Sequence, residues 1–420
     1  MGARNAFYAQ SGGVSAVINA SACAVLQTAR QYTAQIGKVY AGRDGIIGAL
    51  SEDLIDTSLE SEATIAALKH TPGGAFGSCR YKLGSLHEHR AQYERLIEVF
   101  SAHDIGFFFY NGGGDSQDTA YKVSQIGAQL GYPIVCVGIP KTIDNDLPIT
   151  DCSPGFGSVA KYVATSIREA AFDVTAMSRT STKVFVLEVM GRHAGWATAA
   201  CALAAEREGE APHILLLPEV LFDEARFLSK VQRALEQYGQ CVIAVAEGVK
   251  GPDGEFLSAS GSKDAFGHAQ LGGAAPLITN LIGAKLGSKC HWAVPDYLQR
   301  SARHIASETD LQHAYAVGRA AVEFAIAGRS GVMPAIRRLS DEPYCWDIIE
   351  APLSEIANQE KLLPPDFISA DGFGITAAAR RYLAPLIVGE AYPPFRNGLP
   401  DYVKLRNVAV PKRLNTEFAL

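Results

Sequence analysis

Residues 105–148 read IGFFFYNGGGDSQDTAYKVSQIGAQLGYPIVCVGIPKTIDNDLP, and the parsing of this stretch decides the fold. Ile105–Tyr110 is a short, β-rich apolar run without polar alternation, the pattern of a strand buried on both faces. Gly112–Gly114 interrupts it. Thr119–Leu130 then carries apolar residues near a 3.6-residue period, and Ile134–Val137 forms a second apolar run that gives way to the loop GIPKTIDNDLP at 138–148. Strand, glycine-rich turn, helix and strand together form the unit that builds a parallel sheet.

The same alternation extends in both directions. Apolar runs at Asn5–Ala9, Val39–Ala41, Val184–Val189, Ile214–Leu217, Val242–Ala246 and Trp292–Val294 read as buried strands. Between them, Ala16–Gln31, Ser158–Met177, Glu224–Tyr238 and Gln312–Ala327 have helical composition and period. The predicted class is α/β, with doubly wound, mostly parallel sheets. A chain of 420 residues exceeds what one core usually supports, so two domains are expected, with a boundary near residues 150–155.

A formal net charge of −6 and the lack of any long Lys/Arg run argue against nucleic acid or an acidic membrane surface as the main partner. The eight cysteines are scattered, without CxxC pairs or zinc spacing, and read as reduced, packed thiols. The start MGARNAFYAQS lacks the basic-then-apolar pattern of a signal peptide, and no apolar run approaches the roughly 20 residues that span a bilayer. A cytoplasmic location is expected.

Chemistry is expected in the loops beyond strand ends, where open α/β sheets bind ligands. SGGVS at 11–15 places Gly12 and Gly13 where backbone could approach a phosphate at a helix start, although a ligand-free turn reads the same way. NGGGDSQDT repeats that logic and adds Asp115 and Ser116, which suit phosphate and Mg²⁺ or simply cap the helix. PKTIDNDLP is the strongest local signal. It sets Lys141, Thr142, Asp144, Asn145 and Asp146 in one turn, supplying a cation for transferred charge and carboxylates for a hydroxyl and a metal. Arg192 in EVMGRHAGW, Tyr297 and Arg300 in PDYLQRS, Arg80 in FGSCRYK and Lys183 could grip a doubly charged sugar phosphate. GFGSVA at 155–160 has the GxGxxA spacing of a dinucleotide fingerprint but follows a Cys-Ser-Pro loop rather than a strand, and GIPKT has Pro140 where a Walker loop needs glycine. Both are discounted.

Taken in order, SGGxxxxxN (Ser11–Asn19), FGSxR (Phe76–Arg80), GGxxS (Gly112–Ser116), TIDND (Thr142–Asp146), EVMGRxxG (Glu188–Gly195), AEG (Ala246–Gly248) and YxQR (Tyr297–Arg300) make the chain resemble the 6-phosphofructokinase family. The resemblance implies two similar Rossmann-like domains with the active site in the cleft between them, fructose 6-phosphate as acceptor and Mg²⁺ as cofactor. On that reading, residues 1–153, completed by about 299–330, bind the phosphoryl donor, and residues 154–298, completed by about 331–420, bind the sugar phosphate. Asp144 resembles the base that takes the proton of the sugar 1-hydroxyl, and Thr142 helps hold the sugar. Met190, Gly191, Arg192 and Glu247 resemble the sugar-contacting set, with Tyr297 and Arg300 at the 6-phosphate. Lys183 and His291 fall where a neighbouring subunit supplies cations, which implies a homo-oligomer, dimer or tetramer.

The donor is read from two departures. ATP-using members resemble GGDGS in the second glycine-rich loop and have Gly before TIDND, whereas this chain has GGGDS and PKTIDND. Asp115 would put negative charge where a nucleotide's α-phosphate must sit, and Lys141 would return positive charge to the phosphate in transfer. Pyrophosphate is therefore the expected donor, held by Gly13, Arg80 and Ser116, with Lys141 and Asp115 beside Asp144 in the catalytic set. The family's usual metal-binding aspartate is Gly114 here, and Asp115 is assigned to Mg²⁺, with Asp146 acting through water as the alternative. Competing readings are an ATP-dependent 6-phosphofructokinase, a phosphotransferase acting on sedoheptulose 7-phosphate, a silent regulatory subunit and, on GFGSVA alone, an NAD-dependent oxidoreductase.

Overall fold

The computed structural model describes residues 2–258 and 273–418. Its strands are β1 (Arg4–Gln10), β2 (Ile36–Gly42), β3 (Leu54–Asp56), β4 (Ile105–Gly112), β5 (Val135–Pro140), β6 (Val184–Val189), β7 (Ile214–Leu216), β8 (Cys241–Ala246), β9 (Cys290–Ala293), β10 (Val332–Asp341) and β11 (Tyr344–Pro352). They form a seven-stranded sheet in the order β11-β10-β5-β4-β1-β2-β3 and a four-stranded sheet in the order β7-β8-β6-β9. Within these two sheets every pairing is parallel except β2 with β3 and β10 with β11; a separate short hairpin pairs Phe395–Arg396 with Leu399–Pro400. The mostly parallel α/β architecture is the one the alternation predicts.

The FFFY run behaves as a strand covered on both faces. Phe108, Phe109 and Tyr110 are fully buried, and Phe108 stacks on Phe7 of β1 at 5.6 Å between ring centroids. Burial of such a side chain stabilises the fold by about 1.5–3 kcal/mol. One apolar cluster runs from Tyr8 and Phe109 in the first sheet, through Phe156 and Trp196, to Val189 and Ala244 in the second. The two sheets therefore share a core, and their strand ends are held in a fixed relation.

Several boundaries differ from the sequence reading. The helix after β4 spans Gly114–Gln129, beginning inside the glycine-rich turn rather than at Thr119. The strand expected at Trp292–Val294 is Cys290–Ala293. Val332–Pro352, assigned by sequence with the sugar-binding half, instead joins the seven-stranded sheet, with β10 lying parallel to β5. The reason is physical: Val332–Ile336 is buried against β5, whereas the rest of the hairpin is half solvated. The glycines of GFGSVA open the helix Phe156–Met177, and the Asp310 carboxylate accepts N–H bonds there from Gly155 (2.9 Å) and Ser158 (3.0 Å). A cap carboxylate stands where a dinucleotide phosphate would have to bind.

The C-terminal residues cover the exposed edge of β3. Ala409 bridges Ile55 in antiparallel fashion, Val410 N–H donates to Leu54 O at 2.8 Å, and Asp56 N–H donates to Val408 O at 2.9 Å. Buried Glu52 anchors this strap, accepting from Arg413 N–H at 2.6 Å while lying 2.6 Å from His103 Nε2. An edge left open would offer a row of unpaired backbone groups to another chain. All eight cysteines are free. Among the described residues, no helix is long and apolar enough to cross a membrane.

Candidate active site

The carboxyl ends of β1, β4 and β5 face those of β6 and β8 across a cleft of about 560 Å³. It is lined by Gly13, Arg80, Asp115, Ser116, Lys141, Thr142 and Asp144 on one side and by Met190, Arg192, Glu247, Tyr297 and Arg300 on the other, with the Arg300 guanidinium reaching back to Gly13. Twelve residues singled out from scattered motifs thus meet in one cavity.

Three loops lock together on the first wall. Gly12 N–H donates to Cys79 O at 2.9 Å and Ser78 Oγ to Gly12 O at 2.7 Å, so the loop carrying Arg80 is zipped to the SGG turn. Lys141 Nζ reaches across from the end of β5 to donate to Gly13 O at 2.6 Å. A Cβ at Gly13 would lie 2.5 Å from a terminal nitrogen of Arg300, so the missing side chain leaves room for that guanidinium. Arg300 also lies 3.8 Å over the Tyr297 ring, which fixes its plane. Gly114, which lines the cleft with open space about it, begins a 16-residue helix, so the amino end of that helix, a favourable place for an anion, faces the cleft.

The turn Thr142–Asp146 follows β5. Burial, with Asp146 and Glu247 nearby, pushes the Asp144 carboxyl up to about 7, against the opposing pull of Lys141 and Arg192. Burial and the Arg300 charge push the Lys141 ammonium down to about 8, with Asp144 and Asp146 opposing. A carboxylate of raised proton affinity thus sits beside a cation of lowered affinity. Burial raises Asp146 and Glu247 as well.

On the second wall, Gly191 does not line the cavity, but its N–H donates to Glu247 Oε1 at 3.3 Å and aims that carboxylate. Gly248 is required for close packing, because a Cβ there would lie 1.8 Å from the Arg192 carbonyl oxygen. Buried Gln299 accepts from Met190 N–H at 3.2 Å. Lys183 and His291 are not brought to this cleft. Lys183 precedes β6, and His291 pairs with Phe185 near the amino end of that strand, whereas the cleft lies at its carboxyl end.

The structure adds residues that the sequence reading passed over. Lys82, two positions after Arg80, pairs with Asp115 at 2.6 Å. His193 and Glu360, 3.1 Å apart, and Asp296 also line the second wall. Lys82 carried a signal, being a cation in a loop already singled out. Glu360 carried none, since it lies beyond every motif.

Mg²⁺ fits the donor set in one way only. Among the described residues, no three His, Cys, Asp or Glu side chains converge as a ready cage. Asp115 is tied to Lys82, but Asp146 Oδ1 is buried without a hydrogen-bond partner in the described residues. One or two carboxylates completed by substrate phosphates and water is a common Mg²⁺ arrangement, and Asp115 with Asp146 can supply them.

A two-sheet α/β fold whose strand ends enclose cations, a helix amino end and a raised carboxylate defines a phosphate-handling class of protein. Residues 5–325 match the phosphofructokinase family model, and the chain belongs to that family. It is 66% identical over all 420 residues, covering both chains fully, to a protein of Methylococcus capsulatus named pyrophosphate--fructose 6-phosphate 1-phosphotransferase. It is 61% identical over all 420 residues to the protein of that name from Halomonas elongata, again with full coverage of both. The crystal structure of a pyrophosphate-dependent phosphofructokinase from Marinobacter aquaeolei superposes with a TM-score of 0.92 at 60% identity, covering 99% of this chain and 100% of that one.

Proposed function

We propose that the protein reversibly transfers a phosphoryl group from pyrophosphate to the 1-hydroxyl of D-fructose 6-phosphate, giving fructose 1,6-bisphosphate and phosphate. The observation that carries this reading is the pairing in one cleft of Lys141 and Asp144, immediately beyond β5, with proton affinities displaced toward each other. Asp144 takes the proton of the 1-hydroxyl as its oxygen bonds to phosphorus and the bridging P–O bond of pyrophosphate breaks. Lys141 and the amino end of the Gly114–Gln129 helix hold the charge that moves onto the leaving phosphate. Gly13, Arg80 and Ser116 cradle the donor, and Thr142, Met190, Gly191, Arg192 and Glu247 orient the sugar. Tyr297 and Arg300 grip its 6-phosphate. Asp115 and Asp146 would hold Mg²⁺, which when bound neutralises pyrophosphate charge.

The donor choice rests on charge. Asp115 places a carboxylate where a nucleotide's α-phosphate would have to sit, and Lys141 returns positive charge to the phosphate being transferred. Residues 1–153 with 299–330 are assigned to the donor side and 154–298 to the sugar side, with Val332–Pro352 on the donor side. A homo-oligomer would let Lys183 and His291 serve a neighbouring copy. That reading is supported by exposed Phe172, Met177, Trp292 and Val294 on the helix Phe156–Met177 and around β9. Free cysteines suit the reducing cytoplasm. The test is turnover of purified protein with fructose 6-phosphate and Mg²⁺, with either pyrophosphate or ATP. Pyrophosphate should dominate, and equal or better turnover with ATP would overturn the donor assignment.

A further inference from the structure

Of the segments beyond the family motifs, one reaches both walls of the cleft. The segment Glu360–Leu363 lies between the base turn and the sugar loop, and Lys361 is bonded to both. Toward the base turn, Lys361 N–H donates to Asp146 O at 2.6 Å, and its ammonium donates to Thr150 O at 3.0 Å and Asp151 O at 2.7 Å. Toward the sugar loop, Trp196 Nε1–H donates to Lys361 O at 3.1 Å, and the Lys361 ammonium lies 5.3 Å from the centroid of that indole. Glu360 meets His193 at 3.1 Å. Glu219 Oε1 accepts from both Gly195 N–H (2.8 Å) and Leu363 N–H (3.1 Å).

We propose that Lys361 is a positioning residue for phosphoryl transfer, acting as a clasp that fixes the Asp144 turn relative to the sugar-binding loop 190–196. The proposal rests on the assignment of Asp144 as base and goes beyond it. The ammonium gathers the two carbonyls that close the turn a few residues after Asp144, while its backbone holds Asp146 on one side and Trp196 on the other. Holding the 1-hydroxyl and its base in reactive alignment accelerates transfer without tightening either substrate, because alignment counts in the transition state and ground-state binding does not depend on it. Displacements of about an ångström at such a site cost on the order of a hundredfold in rate.

The test is steady-state kinetics of full-length Lys361→Met with pyrophosphate and fructose 6-phosphate, beside its thermal unfolding. Expected is a fall in kcat of at least about tenfold with both KM values within about threefold of the parent, in protein that still unfolds cooperatively. A folded variant with parental kcat overturns the clasp, as does one in which only KM rises. Should Lys361→Met not fold, Lys361→Gln retains an N–H donor for one carbonyl and should show the same split at several-fold. Parental kcat in that variant overturns the proposal equally. A parent without turnover would instead sink the proposed reaction, so the two failures are distinguishable.

Discussion

On the wall built from the seven-stranded sheet, the groups suited to an anion are mostly backbone and short loops: two glycine turns, a helix amino end and Lys141 tied to Gly13 O at 2.6 Å. The opposite wall is made of side chains, with Glu247, Asp296 and Glu360 interleaved with Arg192 and Arg300. Phosphate oxygens accept from fixed N–H groups in any sequence, so the first wall spends few side-chain identities on its ligand. Sugar hydroxyls need acceptors as well as donors, and the carboxylates of this wall supply acceptors of adjustable direction. On the proposed assignment the contrast would also separate roles, the first wall taking the charge that moves and the second the group that stays.

The sharpest way to break this division is Asp144→Asn. The amide is nearly isosteric but cannot take the hydroxyl proton, so kcat should fall by about 10²- to 10⁴-fold while fructose 6-phosphate still binds. Turnover within a few-fold of the parent removes Asp144 from the role of base.

Arg300→Ala probes the second wall and should act mainly on binding. Hydrogen bonds to charged groups contribute about 1.5–3 kcal/mol, so KM for fructose 6-phosphate should rise by roughly ten- to a hundredfold, more than kcat falls. The same substitution also empties the space that Gly13 leaves for the guanidinium. An effect on the KM of pyrophosphate alone would move Arg300 to the donor side of the comparison.

Asp115→Gly tests what the first wall excludes. The ratio of kcat/KM for ATP to that for pyrophosphate should rise by at least about tenfold, equivalent to roughly 1.4 kcal/mol, at matched free Mg²⁺. Loss of Asp115 also releases Lys82, which frees a cation for the phosphates of a nucleotide. A flat ratio would leave donor choice to Lys141.

The smallest effect is in the pH profile. Asp144 must be deprotonated to accept a proton, so kcat/KM should climb as pH rises through about 7. Lys141 must be charged, so it should fall again as pH rises through about 8. Limbs this close give a narrow maximum, and Lys141→Arg should extend the alkaline side because a guanidinium stays protonated there. A profile flat between about pH 6 and 9 would contradict both assignments.

The first wall was the more legible of the two in sequence, because its groups sit in contiguous runs at strand ends: SGG, GGGDS and TIDND each announce a turn, a helix start and a charge. The second wall was legible only where a motif crosses it, at Met190–Arg192, Glu247 and Tyr297–Arg300. Glu360 and Lys361 were invisible because their partners, His193, Asp146 and Trp196, lie some 165 or more positions away, and no local periodicity encodes such a contact. β10 and β11 were missed for a related reason. β10 is buried at Val332–Ile336 and alternates beyond, which averages to neither a clean buried strand nor a clean half-buried one. Lys82 was within reach of the sequence, but nothing in the loop marks which cation faces Asp115.

The late arrival of β10 has a consequence for how the chain is made. β5, the strand that delivers Lys141 and Asp144, is flanked on one side by β4, but its other neighbour is encoded 195 positions downstream, Val332 against Val137. At synthesis rates of about 5–20 residues per second, the free edge of β5 waits roughly 10 to 40 s on the ribosome for its partner. During that interval the most chemically loaded turn of the enzyme hangs from a strongly apolar strand with one edge unpaired. Expression at lower temperature or with holdase chaperones should therefore raise the yield of active protein more than any change to the mature surface, because the vulnerable species exists only before the last quarter of the chain has emerged.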